Sequence, residues 1–124
     1  VISNFEDITE DLTKDELKLI DPLISGLESR TSKNPVKAPT IVRGMNSYAK
    51  EHGLTKISEV RLRKLVNHIR SNSIAPIIAT SKGYFLPTDR EEIRSQIESL
   101  EQRARSILSC ASGLERFLRE KIDF

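Results

Sequence analysis

Apolar positions recur along this chain with two periods, and the change from one to the other divides it into predictable elements. Leu17, Ile20, Leu23, Ile24 and Leu27 fall at helical spacing behind Thr13 and Glu16. Those two residues form a capping box, and together they predict a first helix over about 14–29. Pro22 removes one backbone donor inside that helix and predicts a kink or a looser turn, which Gly26 weakens further. Residues 30–39, with two Pro, Asn34 and three Lys or Arg, read as a loop. Ile41, Val42, Met45, Tyr48 and Ala49 predict a second helix over about 40–52, stopped by Gly53. Ser58 is placed to cap a third over about 59–72, where Leu62, Leu65, Val66 and Ile69 share one side. The opposite side reads Val60, Lys64, Asn67 and Ser71, flanked by Arg61, Arg63 and His68.

From Pro76 the period shortens to two. Ile77 to Thr80 and Tyr84 to Leu86 read as short strands joined through Ser81, Lys82 and Gly83. In that hairpin Lys82 stands at the tip and Tyr84 or Phe85 packs under the third helix, with Phe85 the better candidate for the core. Thr88 then caps a long helix opened by Asp89, Glu91 and Glu92, where the helix dipole favours anions. Its apolar positions Ile93, Ile97, Leu100, Ala104, Ile107, Ala111, Leu114 and Leu118 step alternately by four and three, which is a heptad seam. Ile97, Ala104, Ala111 and Leu118 form one rail of the seam and the other four form the second, with the two Ala allowing backbones to approach closely. A helix of roughly 33 residues extends about 50 Å. That is too long for a small domain to cover, and it predicts a homodimer through 90–122. The Ser109 to Gly113 stretch has weak helix formers and marks where a bend or break is expected.

Composition narrows the class. At 124 residues, 37% apolar and 31% charged, the chain has room for one small core, and with four Phe, two Tyr and no Trp that core is mainly aliphatic. A single Cys excludes an internal disulfide and any multi-Cys zinc site and fits a reducing compartment. No run of 18 apolar residues and no basic-then-apolar leader occurs, so the expected location is cytoplasmic, with no membrane partner.

The formal charge of +2 hides a marked segregation. Residues 1–29 carry a net −6, residues 30–82 carry eleven Lys and Arg against only Glu51 and Glu59, a net +9, and the remainder is near neutral. A basic block of this kind points to phosphates as partner.

Order and charge together give the second helix, a turn and the third helix the arrangement of a helix-turn-helix, with the hairpin as a wing. An α-helix fits the DNA major groove, its outer side chains reach base edges, and surrounding cations neutralise phosphates. Asn67 suits adenine, Arg61 and Arg63 suit guanine or phosphate, Val60 a thymine methyl, and Lys82 the backbone beside the wing. With Lys64, His68 and Ser71 these are the candidate DNA-binding residues.

The stretch ISEVRLRKLVNHIRSNSIAPIIATSKGYFL, Ile57 to Leu86, resembles winged-helix DNA-binding domains, most closely small winged-helix proteins encoded in bacterial phages and prophages. With the first two helices the resemblance covers about 14–87, and the heptad helix is similar to the tail such phage proteins carry. It implies a mainly α protein: an acidic segment over 1–13, a winged helix of three helices and a two-stranded wing over 14–87, and a dimerisation helix over 88–124. The implied function is sequence-specific double-stranded DNA binding by a homodimer, as a transcriptional regulator in a bacterial or phage-infected cell. A different class of function is a non-enzymatic adaptor, in which the basic face meets an acidic protein partner or the acidic N-terminal segment of another subunit and the heptad helix carries the function.

Enzyme chemistry has little foothold. His52 and His68 are far from Cys110, no metal-ligand spacing or phosphate-binding loop occurs, and Glu91 and Glu92 read as first-turn helix residues. Neither a metal, a cofactor nor a small-molecule substrate is expected. His52 reads as a C-terminal helix cap and Cys110 as a structural thiol.

Overall fold

A computed structural model describes residues 10–121; the first nine residues of the acidic segment and residues 122–124 lie outside the described residues. The described chain is mainly helical, with one two-stranded antiparallel hairpin and a long C-terminal helix. Its elements are α1 (Lys14–Leu17), α2 (Ile20–Leu27), α3 (Ala38–Glu51), α4 (Glu59–Ser71), β1 (Ile78–Thr80), β2 (Gly83–Phe85) and α5 (Arg90–Glu120). They divide into two units, with the boundary between Thr88 and Asp89.

The capping box forms as its residues dictate: the Glu16 amide donates to the Thr13 hydroxyl, and the Glu16 carboxylate accepts from the Thr13 amide. The single helix predicted over 14–29 does not form. It breaks at Lys18 and Leu19 into α1 and α2. Pro22 has no amide to give to the Lys18 carbonyl and its ring crowds that oxygen, so the discontinuity falls one turn ahead of the proline. The break changes which residues face inward. Leu17, expected on the apolar stripe, is 40% exposed, and Leu19 is fully buried in its stead.

The helix α3 starts two residues earlier than expected, with Pro39 in the first turn, where a missing amide costs nothing. Ile41, Met45 and Ala49 are its buried stripe. The cap of α4 is Ser58, whose hydroxyl accepts from the Arg61 amide, and Leu62, Leu65, Val66 and Ile69 are all buried. Burying side chains of this size stabilises by about 1.5–3 kcal/mol each, and these four anchor α4 in a core shared with Leu19, Leu23 and Leu27.

Ile78 pairs with Phe85, Ala79 with Tyr84 and Thr80 with Gly83, so the connection is the two residues Ser81 and Lys82. Phe85 is buried, as expected, together with its cross-strand partner Ile78. Of the two candidates for packing against the core that holds α4, Tyr84 makes the contact, together with Leu86. The loop expected over 30–39 is also more ordered than its composition implies. Val36 bridges to Tyr84 through a reciprocal pair of backbone hydrogen bonds of 2.9 and 2.8 Å, and the Leu86 amide donates to the Arg30 carbonyl.

In the second unit α5 runs through Ser109 to Gly113 without a break. Its cap is Asp89, which accepts from the Glu92 amide, in place of Thr88. No helix among the described residues is long and apolar enough to cross a membrane.

Candidate nucleic-acid interface

The orientation of α4 is set by a side chain on α3. Asn46 accepts from the Ile57 amide at 2.9 Å and donates to the Ile57 carbonyl at 3.2 Å, so one amide side chain acts as a strand partner for the residue just ahead of the Ser58 cap. The turn between the helices is closed on its other side by Gly53, at φ +66°, and by the Leu54 amide donating to the Ala49 carbonyl at 2.8 Å. His52 caps α3, its ring stacked on Tyr48 with centroids 3.9 Å apart and its Nδ1 2.8 Å from the Tyr48 carbonyl. At the far end of α4 the Arg70 Nε donates to the Ile77 carbonyl and ties the helix to the start of the hairpin. Directed hydrogen bonds therefore tie the start of α4 to α3 and its end to the chain that enters the hairpin.

The residues expected on the outer face divide into two groups. Arg63, Asn67 and Ser71 are exposed, and Val60, Lys64 and His68 are half-buried. Lys82 is exposed in the hairpin turn, where its amide donates to the Thr80 hydroxyl. Lys64, Asn67, His68 and Ser71 line one open groove with Asn72, whose side chain donates to the His68 carbonyl.

Arg61 belongs elsewhere. Its guanidinium makes two contacts of 2.6 Å to the Glu16 carboxylate and donates to the carbonyls of Glu10 and Asp11 at 3.0 Å each. Both side chains of this pair are about nine-tenths covered. A guanidinium engaged in this way is not available to a base or a phosphate, and Arg61 is a fastener between α1 and α4. The Arg61 hydrogen bond holds the Glu16 carboxyl below its ordinary value of 4.5, against the opposing effect of burial.

The fastening has a second consequence. It holds the chain ahead of α1 alongside α4, so that Asp11, Leu12 and Leu17 form the opposite wall of the groove. A further hydrogen bond, from the Thr55 amide to the Asp15 carboxylate, keeps α1 against the turn that leads into α4. The groove thus has a polar, basic wall and an acidic and aliphatic one.

Comparison of the chain with protein-family models, with curated proteins and with solved structures finds no match. Among the described residues no group of three or more His, Cys, Asp or Glu side chains is placed to hold a metal ion.

Asn46 and Glu16 are the two residues in this region that sequence reasoning missed as organisers. Asn46 carries no local signal, since its partner is eleven residues away. Glu16 carried one: an acid in a capping box beside an apolar run is placed near a core, where a carboxylate needs a cation.

Proposed function

We propose that this protein binds double-stranded DNA sequence-specifically through a winged-helix unit, with α4 in the major groove and the hairpin beside the backbone, and that it serves as a dimeric phage or prophage transcriptional regulator. The observation that carries the reading is the outer face of α4. Arg63, Lys64, Asn67, His68 and Ser71 stand together on a helix held rigidly at both ends, inside a stretch of the chain with net charge +9. Asn67, exposed at the centre of this face, has the donor and acceptor needed for an adenine edge, and Arg63 at its margin suits phosphate. Lys82 approaches the backbone from the hairpin. The exposed seam of α5 supplies the second subunit and with it a second half-site.

Position on the face predicts the phenotype. Asn67→Ala is expected to relax preference at one base pair, a loss of about 1–3 kcal/mol of discrimination. Arg63→Ala is expected to weaken all sequences alike and to lower the magnitude of the salt slope by about one unit. Selection of bound sequences from a random duplex pool, repeated with each variant, checks the first; titration of a fixed duplex at several salt concentrations checks the second. Identical base preferences for wild type and Asn67→Ala would remove Asn67 from the reading position.

One observation favours a second reading, a protein-interaction adaptor. The groove wall opposite the basic residues is made by Asp11, Leu12 and the exposed Leu17, which suits a peptide with an apolar side chain better than it suits a polyanion. On that reading Leu17→Lys abolishes partner capture, whereas on the DNA reading the same substitution leaves duplex binding intact or strengthens it.

A further inference from the structure

The helix α5 leaves a continuous apolar stripe in water. Ile107, Leu114 and Leu118 are each about two-thirds exposed, Ile97 is half exposed, and Leu100, Ala104 and Ala111 are exposed as well; only Ile93 is half-buried. Leu108 and Phe117 widen the stripe on its two flanks. Along a helix of 31 unbroken residues, this face has no partner among the described residues.

From the spacing and chemistry of that face we infer that the occupant is a second copy of α5 running antiparallel, with Ala104 set against Ile107 of the other copy. The inference rests on the dimer reading above and adds the orientation and register. In this register each small residue meets a large one, Ala104 opposite Ile107 and Ala111 opposite Leu100, and Ile97 lies opposite Leu114. By symmetry the same three pairs recur on the other side of the centre. Four central layers then have one Ala and one large side chain each, a constant and short spacing between backbones, flanked by a larger layer at each end. Ile93 and Leu118 close the seam beyond these.

An in-register parallel pair stacks the same residues differently. Ala104 would meet Ala104 and Ala111 would meet Ala111, between layers of paired Ile107 and paired Leu114. No single spacing suits both, and holding the helices apart for the large layers leaves voids at the Ala layers.

Charge points the same way. In the antiparallel register Arg94 faces Glu115 of the other copy, twice by symmetry, in the flanking positions that choose between orientations. The parallel register sets Gln96 against Glu101, Arg103 against Leu108 and Cys110 against Glu115, and its one opposite-charge pair, Asp89 with Arg94, falls at the cap, where the Asp89 carboxylate already accepts from the Glu92 amide. The antiparallel arrangement also separates the two points at which the chain enters α5 by about 50 Å, whereas a parallel pair brings them side by side.

Disulfide trapping in the full-length chain separates the orientations. Leu100→Cys and Ala111→Cys are made separately in a Cys110→Ser background, so that each protein carries one thiol, and one of the two is tagged to change its mass. They are mixed under reducing conditions to allow exchange and then oxidised. The expected product is the mixed disulfide alone, because in the antiparallel register residue 100 lies opposite 111 while 100 and 100, or 111 and 111, are about 16 Å apart along the axis. Disulfides of each variant with itself, without the mixed species, would overturn the orientation and leave the dimer standing. No disulfide of either kind, with monomer in light scattering at tens of micromolar, would overturn the dimer and the orientation together. All three positions are exposed in the single chain, and a far-ultraviolet circular-dichroism spectrum of each reduced variant that matches the wild type confirms that it folds.

Discussion

Arg61→Ala is expected to destabilise the protein by about 3–5 kcal/mol, because it removes one partner of a covered ion pair and leaves the Glu16 carboxylate with little solvent and no cation. The loss depends on pH in a way that identifies its cause. In the wild type the Glu16 carboxyl titrates below its ordinary value of 4.5, so its contribution is complete above that pH and is lost as pH falls through the lower folded value. In Arg61→Ala the same carboxyl is covered but unpaired, which favours its protonated form, so acid relieves the variant while it weakens the wild type. Urea unfolding at pH 7 and near pH 4 should therefore show a wide gap between the two proteins that narrows on acidification. A gap of constant size would mean that Arg61 acts through packing of its aliphatic stem and not through its charge. The double variant Glu16→Gln with Arg61→Met, which removes both charges and keeps the volume, is expected to recover most of the stability.

Gly83→Ala is the second large effect. Gly83 is buried at φ +133°, and a Cβ there would lie 2.5 Å from the Val36 carbonyl oxygen and 2.7 Å from its carbon. The obstruction is backbone, so no side chain can move to relieve it. Ala at this position must give up either the backbone conformation or the Val36 bridge to Tyr84. Strain of this kind costs about 1–3 kcal/mol, and the lost bridge adds to it, for an expected total of about 3 kcal/mol or more. Thermal unfolding should show the loss. Lys82→Ala, one residue away in an exposed turn, should unfold like the wild type while binding duplex more weakly.

These two sites also mark the limit of what the sequence discloses. Elements whose evidence is local were legible: the Thr13 and Glu16 capping box, the Ser58 cap, the buried Leu62, Leu65, Val66 and Ile69 stripe and the hairpin through Ser81 and Lys82 all follow from residues a few positions apart. The start of α5 was legible to within one residue, since Thr88 with Glu91 and Asp89 with Glu92 both have cap spacing and only the folded backbone chooses. What stayed hidden depends on partners distant in sequence. A helical wheel places Arg61 on the flank of the basic face, but Glu16 lies 45 residues away and claims it. Composition makes 30–39 a loop, but Val36 finds an open strand edge at Tyr84. Pro22 did announce the disruption of the first helix, yet the break falls where its ring meets the preceding turn, and that moved Leu19 into the core and Leu17 out of it.

The same division holds for the candidate interface. Arg63, Lys64, Asn67, His68 and Ser71 were assigned from periodicity and charge, and they do share one face. The acidic and aliphatic wall of Asp11, Leu12 and Leu17 was not foreseen, because only the Glu16 to Arg61 fastening brings it there.

The central claim is that the outer face of α4 contacts DNA, and one measurement addresses it directly: retardation of a nonspecific duplex at low salt by the wild type, by Lys64→Glu and by Arg63→Glu. Both substitutions reverse a charge on the proposed contact surface, and Arg63 is exposed, so its replacement leaves the core intact. The account predicts that the wild type retards the duplex, that added salt reverses the shift, and that each charge reversal weakens it by tenfold or more. Wild-type retardation that neither substitution changes would contradict it.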